Sequence, residues 1–181
     1  MSWTNKGYFV VVVAALVSLI LVATATTQSF AQNEKYRAKL DGNDEVPPVN
    51  TTSEGVINFK TKSGVMTWKM NITGITDATG AHIHKGKVGE NGDVVVDLLK
   101  VSKHSDTPKG MIMRGNVTDS SLTGPMAGQT LADLQTAMTN GDTYVNVHTQ
   151  DHPDGEIRGQ VKLKGSNATD SSVTQSTNST T

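Results

Sequence analysis

Apolar and polar side chains alternate in short runs through the middle of this chain, the two-residue period of strands with one buried face. Tyr36, Ala38 and Leu40 take one side against Lys35, Arg37 and Lys39. That run stops at the turn sequence Asp41-Gly42-Asn43-Asp44, and Pro47-Pro48 bars ladder bonding just beyond. Ile57, Phe59 and Thr61 alternate with Asn58 and Lys60. After a Lys62-Ser63-Gly64 loop, Met66, Trp68, Met70 and Ile72 oppose Thr67, Lys69, Asn71 and Thr73, which predicts a hairpin. Further strands are predicted over 81–85, 93–101, 110–118, 143–149 and 156–163, about eight in all. One helix interrupts them. Thr130 is its N-cap with Asp133 three residues on, Leu131, Leu134 and Met138 form its core stripe, and Asn140-Gly141 ends it. The fold predicted is all-β, an antiparallel Greek-key β-sandwich with one short helix.

Both ends of the chain depart from this pattern. Residues Tyr8 to Ala25 carry no charge and follow Lys6, and Ser29-Phe30-Ala31 places small residues around a cleavage point before Gln32. Residues 1–31 therefore read as a secretory signal peptide or, uncleaved, as a membrane anchor; either places the rest outside the cytoplasm. The domain spans 32–164. From 165 to 181 the chain is predicted to be a disordered tail, because ten of its seventeen residues are Ser or Thr and Val173 is its single large apolar residue. Asn50, Asn71, Asn116, Asn167 and Asn178 each begin an Asn-X-Ser/Thr sequon, in keeping with an exported, glycosylated chain.

Composition narrows the chemistry. The 181 residues include 16 Lys+Arg and 17 Asp+Glu, a net charge of −1, and no basic run that would suit a nucleic acid. Cys is absent, which removes disulfides, thiolate metal sites and thiol nucleophiles. No Ser-His-Asp order, phosphate-binding glycine loop or HExxH helix occurs, so no catalytic residue is assigned. Paired acids such as Asp44-Glu45, or Asp151 with Asp154, fall in turns, where such residues shape the backbone.

Histidine is the informative residue. Four of the five cluster around two predicted strands, Gly80-Ala81-His82-Ile83-His84 and Val147-His148-Thr149-Gln150-Asp151-His152. Strand period puts His82 and His84 on one face, groups Tyr144, Asn146 and His148, and groups Glu156, Arg158 and Gln160. If these strands are neighbours, the polar faces merge. Three imidazoles from two strands can hold copper or zinc without thiolate. The same residues can instead form a metal-free network, with the histidines bonded to Asn146, Glu156 and backbone groups. His152 precedes Pro153-Asp154-Gly155 and reads as a turn residue, and His104 sits in a predicted polar loop.

Four ordered blocks carry a family resemblance. The run from Ala38 to Val49 (AKLDGNDEVPPV), the run from Gly80 to Gly86 (GAHIHKG), Tyr144-Val145-Asn146-Val147-His148-Thr149, and the run from His152 to Val161 (HPDGEIRGQV) together resemble the chordin-type (CHRD) domain over about 35–164. The resemblance implies a secreted module with no general enzymatic assignment. A second similarity, to copper/zinc superoxide dismutase, implies copper on His82, His84 and His148 and an anion-guiding role for Arg158. The chain departs from that enzyme in having no bridging histidine, no zinc loop and no cysteine. The expectation is an exported binding or structural module at the cell surface, with an extracellular protein or glycan as partner. The alternative is a mononuclear copper or zinc protein, of dismutase-like chemistry in its strongest form.

Overall fold

The computed structural model describes residues 34–165. The predicted leader, all but the first residue of the predicted tail, and the sequons at Asn167 and Asn178 lie outside the described residues. Ten strands are present: β1 (Lys35–Asp41), β2 (Glu54–Lys62), β3 (Val65–Thr73), β4 (Gly80–Lys85), β5 (Val94–Asp97), β6 (Ser102–Thr107), β7 (Gly110–Val117), β8 (Thr143–His148), β9 (Ile157–Gln160) and β10 (Lys162–Leu163). One helix, α1 (Leu131–Thr139), lies between β7 and β8. All strand pairs are antiparallel, in the order β5-β4-β8-β9-β1-β2-β3-β7-β6, with β10 extending beside β1. The fold is all-β, as the alternation requires. The sandwich takes the form of one continuous sheet, curled so that its two ends share one core.

Pleat parity builds that core. Tyr36, Ala38 and Leu40 of β1, Ile57 and Phe59 of β2, and Met66, Trp68 and Met70 of β3 are all buried, while their neighbours point to solvent. In-register pairs such as Phe59 opposite Trp68 and Ile57 opposite Met70 continue the apolar surface across the strands. At the other end Ala81, Ile83, Val145, Val147 and Ile157 join the same cluster. The two halves of the sheet join where β1 runs beside β9 and β10, with Asp41 opposite Arg158 and Arg37 opposite Lys162. A Cβ on Gly159 would stand 1.7 Å from Lys39 O, so only glycine permits this approach. Lys164 N–H donates to Lys35 O at 2.7 Å, which places the two ends of the described segment side by side.

Local chemistry sets the remaining elements. The β2–β3 loop is the two residues Ser63-Gly64, both at positive φ (50° and 74°), one residue shorter than predicted. Helix α1 begins with the predicted capping box, Thr130 N–H donating to Asp133 Oδ2 at 2.8 Å and Asp133 N–H to Thr130 Oγ1 at 3.3 Å. The strand predicted over 93–101 ends at Asp97, whose Oδ1 accepts from Lys100 N–H at 2.9 Å and turns the chain. The following polar segment is β6, an edge strand, so His104 stands exposed on a strand and not in a loop. The last predicted strand is broken at Val161, whose N–H turns to Thr143 O.

Candidate metal centre

The centre lies on the outer face of β4, β8 and β9. Cross-strand register sets His82 beside Asn146 and Asn146 beside Arg158, with Gly80 opposite His148 and His84 opposite Tyr144. All these residues share one parity, so their side chains leave the core face to Ala81, Ile83, Val145 and Val147. Gly80 makes room for the imidazoles: a Cβ there would lie 3.0 Å from His82 Cε1 and 3.3 Å from His148 Cδ2.

The three imidazoles predicted as ligands converge. One ring nitrogen from each of His82, His84 and His148 lies within 4.8 Å of the other two. Two of the rings have their tautomer fixed by carbonyl oxygens, which only accept. His84 Nδ1 stands 2.8 Å from Gly92 O, and His148 Nδ1 stands 2.8 Å from Pro153 O. Both Nδ1 atoms therefore carry the proton, and in the neutral rings both Nε2 atoms turn a lone pair inward. Those two Nε2 atoms lie 2.9 and 3.0 Å from Asn146 Oδ1, and His82 Nδ1 lies 3.0 Å from His148 Nε2. Two lone pairs and an amide oxygen thus face one another, with His82 Nδ1 alone able to supply a proton among them. A cation bonded at about 2.0–2.1 Å spans at most about 4.2 Å between two ligands, so the rings, whose nitrogens lie within 4.8 Å of one another, would close slightly around it; the metal-free solution is a reversed Asn146 amide donating from its NH₂.

The electrostatics favour neutral rings. Burial, reinforced by the neighbouring His148 and His84, pulls His82 down to about 4. Burial also lowers His84, against bonds to Gly92 and Asn146 that favour its charged form. Neutral imidazole is the metal-binding form.

A roof of residues 86–93 covers the site, and Arg158 holds it. Arg158 is 2 % exposed, and its guanidinium donates to Glu90 O at 2.7 Å, Asn91 Oδ1 at 3.0 Å and Lys87 O at 3.1 Å. The same group lies 3.4 Å from the Tyr144 ring centroid, and His84 stacks on that ring at 4.7 Å and 4°. With its guanidinium so engaged, Arg158 carries the roof and is not placed to guide an anion. The roof supports the site in turn through Gly92 O, which fixes the His84 tautomer.

The other predicted residues divide. Asn146 sits at the heart of the cluster. Gln160 is displaced from it, its Nε2 donating to Gly86 O and Gly141 O at 3.0 and 2.7 Å. Glu156 does not reach the histidines; it accepts from Thr51 and Thr149 hydroxyls at 2.9 and 2.8 Å. His152 closes a turn, its carbonyl accepting from Thr149 and Gly155. Asn50, Asn71 and Asn116 are exposed.

Sequence reasoning missed one residue. Glu45, which reads as a turn residue, is 6 % exposed, and its Oε1 has no hydrogen-bond partner. A Cβ on Gly155 would meet both Glu45 Oε1 and Asn146 Nδ2, at 2.5 and 2.9 Å, so the carboxyl and the Asn146 amide both border Gly155. Burial pushes it up to about 7, against the lowering effect of Arg158. The only signal in the sequence is the following Pro47-Pro48, which lacks backbone N–H groups and leaves Val46 as the local donor to the carboxyl.

Against known proteins, the family model of the CHRD domain matches residues 36–161. No curated protein and no solved structure matches the chain.

Proposed function

The chain belongs to the CHRD-domain family, and from that premise we propose that it is an exported binding module whose binding centre takes one copper or zinc ion on His82, His84 and His148. The observation that carries this reading is the pair of carbonyl-locked tautomers, which aim two imidazole lone pairs at one point beside a third ring. Three protein ligands leave a fourth position for Asn146 Oδ1 or for an outside molecule. Bound copper would supply one-electron chemistry there, and superoxide is the substrate that the dismutase likeness suggests.

The test is elemental analysis of the full chain after loading with Cu(II) or Zn(II) and dialysis. About one ion per chain is expected in the parent and in His104→Ala, and none in a His82→Ala/His148→Ala variant that retains its circular dichroism. Equal metal content in parent and double variant overturns the metal reading. Superoxide turnover by the copper-loaded chain, absent from the double variant, would add the redox role.

Export and a place at the cell surface are supported by the leader pattern and by the exposure of Asn50, Asn71 and Asn116. An extracellular protein or glycan is the partner this placement favours. A glycosidase-sensitive shift of the exported chain is expected; an intact leader facing the cytoplasm overturns the placement.

A further inference from the structure

The strand order assembles a line of positive charge that the sequence scatters over about 130 residues. Arg37 on β1 pairs with Lys162 on β10 on one side and Asn58 on β2 on the other. Asn58 pairs with Lys69 on β3, Lys69 with Arg114 on β7, and Arg114 with Lys103 on β6. One row of side chains thus crosses six strands, about 24 Å at ordinary strand spacing, and every member but Asn58 is an exposed cation. A second row runs beside it through Lys35 opposite Lys60, with Lys164 bonded to Lys35 through the backbone.

Nothing in folding calls for this. Like charges directly opposite each other in a sheet repel, at a cost of a few tenths of a kcal/mol or more per pair. Here Arg37 faces Lys162, Lys69 faces Arg114, and Arg114 faces Lys103. In a chain of net charge −1, such clustering is not a result of composition. The row also ends in a groove of about 490 Å³ lined by Arg37, Lys39, Lys162 and Lys164 together with Asp44 and Val88.

We infer that this face binds a linear anionic polysaccharide, laid across the strands with one residue in the groove. The shape of the charge selects the occupant. The charge forms a narrow strip, two rows deep at its β1–β2 end and bordered two rows away on its other side by the acidic pair Asp41 and Glu54, which suits a line of carboxylates or sulfates and not a broad anionic plane such as a membrane. The aromatic rings of the sheet, Tyr36, Phe59, Trp68 and Tyr144, are all buried, so the face offers no stacking platform for nucleic-acid bases.

The test is retention of the full chain on immobilised polygalacturonate and heparin at about 50 mM salt, with elution as salt rises. Lys69→Glu/Arg114→Glu is compared with Lys100→Glu/Lys109→Glu, which makes the same net charge change outside the row. The row variant is expected to lose at least about tenfold in affinity and the control less than about threefold. Thermal melting separates recognition from damage. Single Lys69→Glu turns a repulsive pair into an attractive one, so its Tm holds or rises while its binding falls. No retention of the parent, or equal loss in both double variants, overturns the proposal. Preferential binding to phosphatidylglycerol vesicles or to an acidic protein also overturns it, in favour of those partners. The His82→Ala/His148→Ala variant is expected to bind polysaccharide like the parent, so this proposal and the metal centre fail independently.

Discussion

In β3 every second residue is exposed, whereas in β8 five residues in succession, Thr143 to Val147, are buried. The two strands share one sheet and one period, and differ in what covers the second face. The outer face of β1, β2, β3 and β7 is open to water and carries charge; that of β4, β8 and β9 lies under the 86–93 roof and carries His, Asn, Tyr and Arg. Polar groups withdrawn from water must find partners. The covered half is therefore where pKa values are displaced and tautomers fixed, and the open half is where charge stays solvated and available.

The contrast breaks first at the seam. Gly159→Val drives a side chain into Lys39 O and is expected to cost more than about 3 kcal/mol, or to abolish folding, in chemical denaturation. The roof comes next. Arg158→Met keeps the bulk over Tyr144 but leaves the Lys87 and Glu90 carbonyls without their donor, for an expected loss of about 2–4 kcal/mol. Metal affinity should fall with it, since Gly92 O sits in the same roof; an unchanged affinity would show that the His84 tautomer holds without that support.

Glu45 and His82 sharpen the comparison through pH. The folded chain holds a proton on Glu45 up to about 7, while the unfolded carboxyl releases it near 4.5. Stability from this residue is thus full below 4.5 and is lost as the pH rises through 7. Glu45→Gln is expected to gain about 1–2 kcal/mol at pH 8 and little at pH 4.5, read from paired melts. His82 acts in the opposite sense. Its folded value of about 4 lies below the unfolded 6.5, so the metal-free chain loses stability as the pH falls through that window. A His82→Gln variant should flatten the acid limb. The smallest effect belongs to the open half, where Lys69→Glu is expected to change stability by less than about 1 kcal/mol.

Much of the covered half was legible because parity is a local rule. Residues two apart on a strand share a face, so His82 with His84 and Asn146 with His148 could be grouped before any neighbour was known. The CHRD-like blocks made β4, β8 and β9 the strands to watch. What escaped depended on pairings distant in the chain. Glu45 comes to the Gly155 backbone beside Asn146 across about a hundred residues, and its neighbours Asp41 to Asp44 are turn residues that point to backbone geometry. The cation row needs the order β10, β1, β2, β3, β7, β6 and all five registers before Lys162 and Lys103 share a line. Edge strand β6 escaped for a simpler reason: with one neighbour and no buried face, Ser102 to Thr107 carries no alternation to read.

The bond between Lys164 and Lys35 has a mechanical consequence. Because β1 and β10 run antiparallel with their free ends together, tension drawn through residues 34 and 165 falls on the first rung of their ladder alone. The rungs then separate in succession, as a zipper opens, and do not resist as a group in shear. A load on this module reaches the seam at Gly159 early, while the Phe59–Trp68 layer beyond it is still intact.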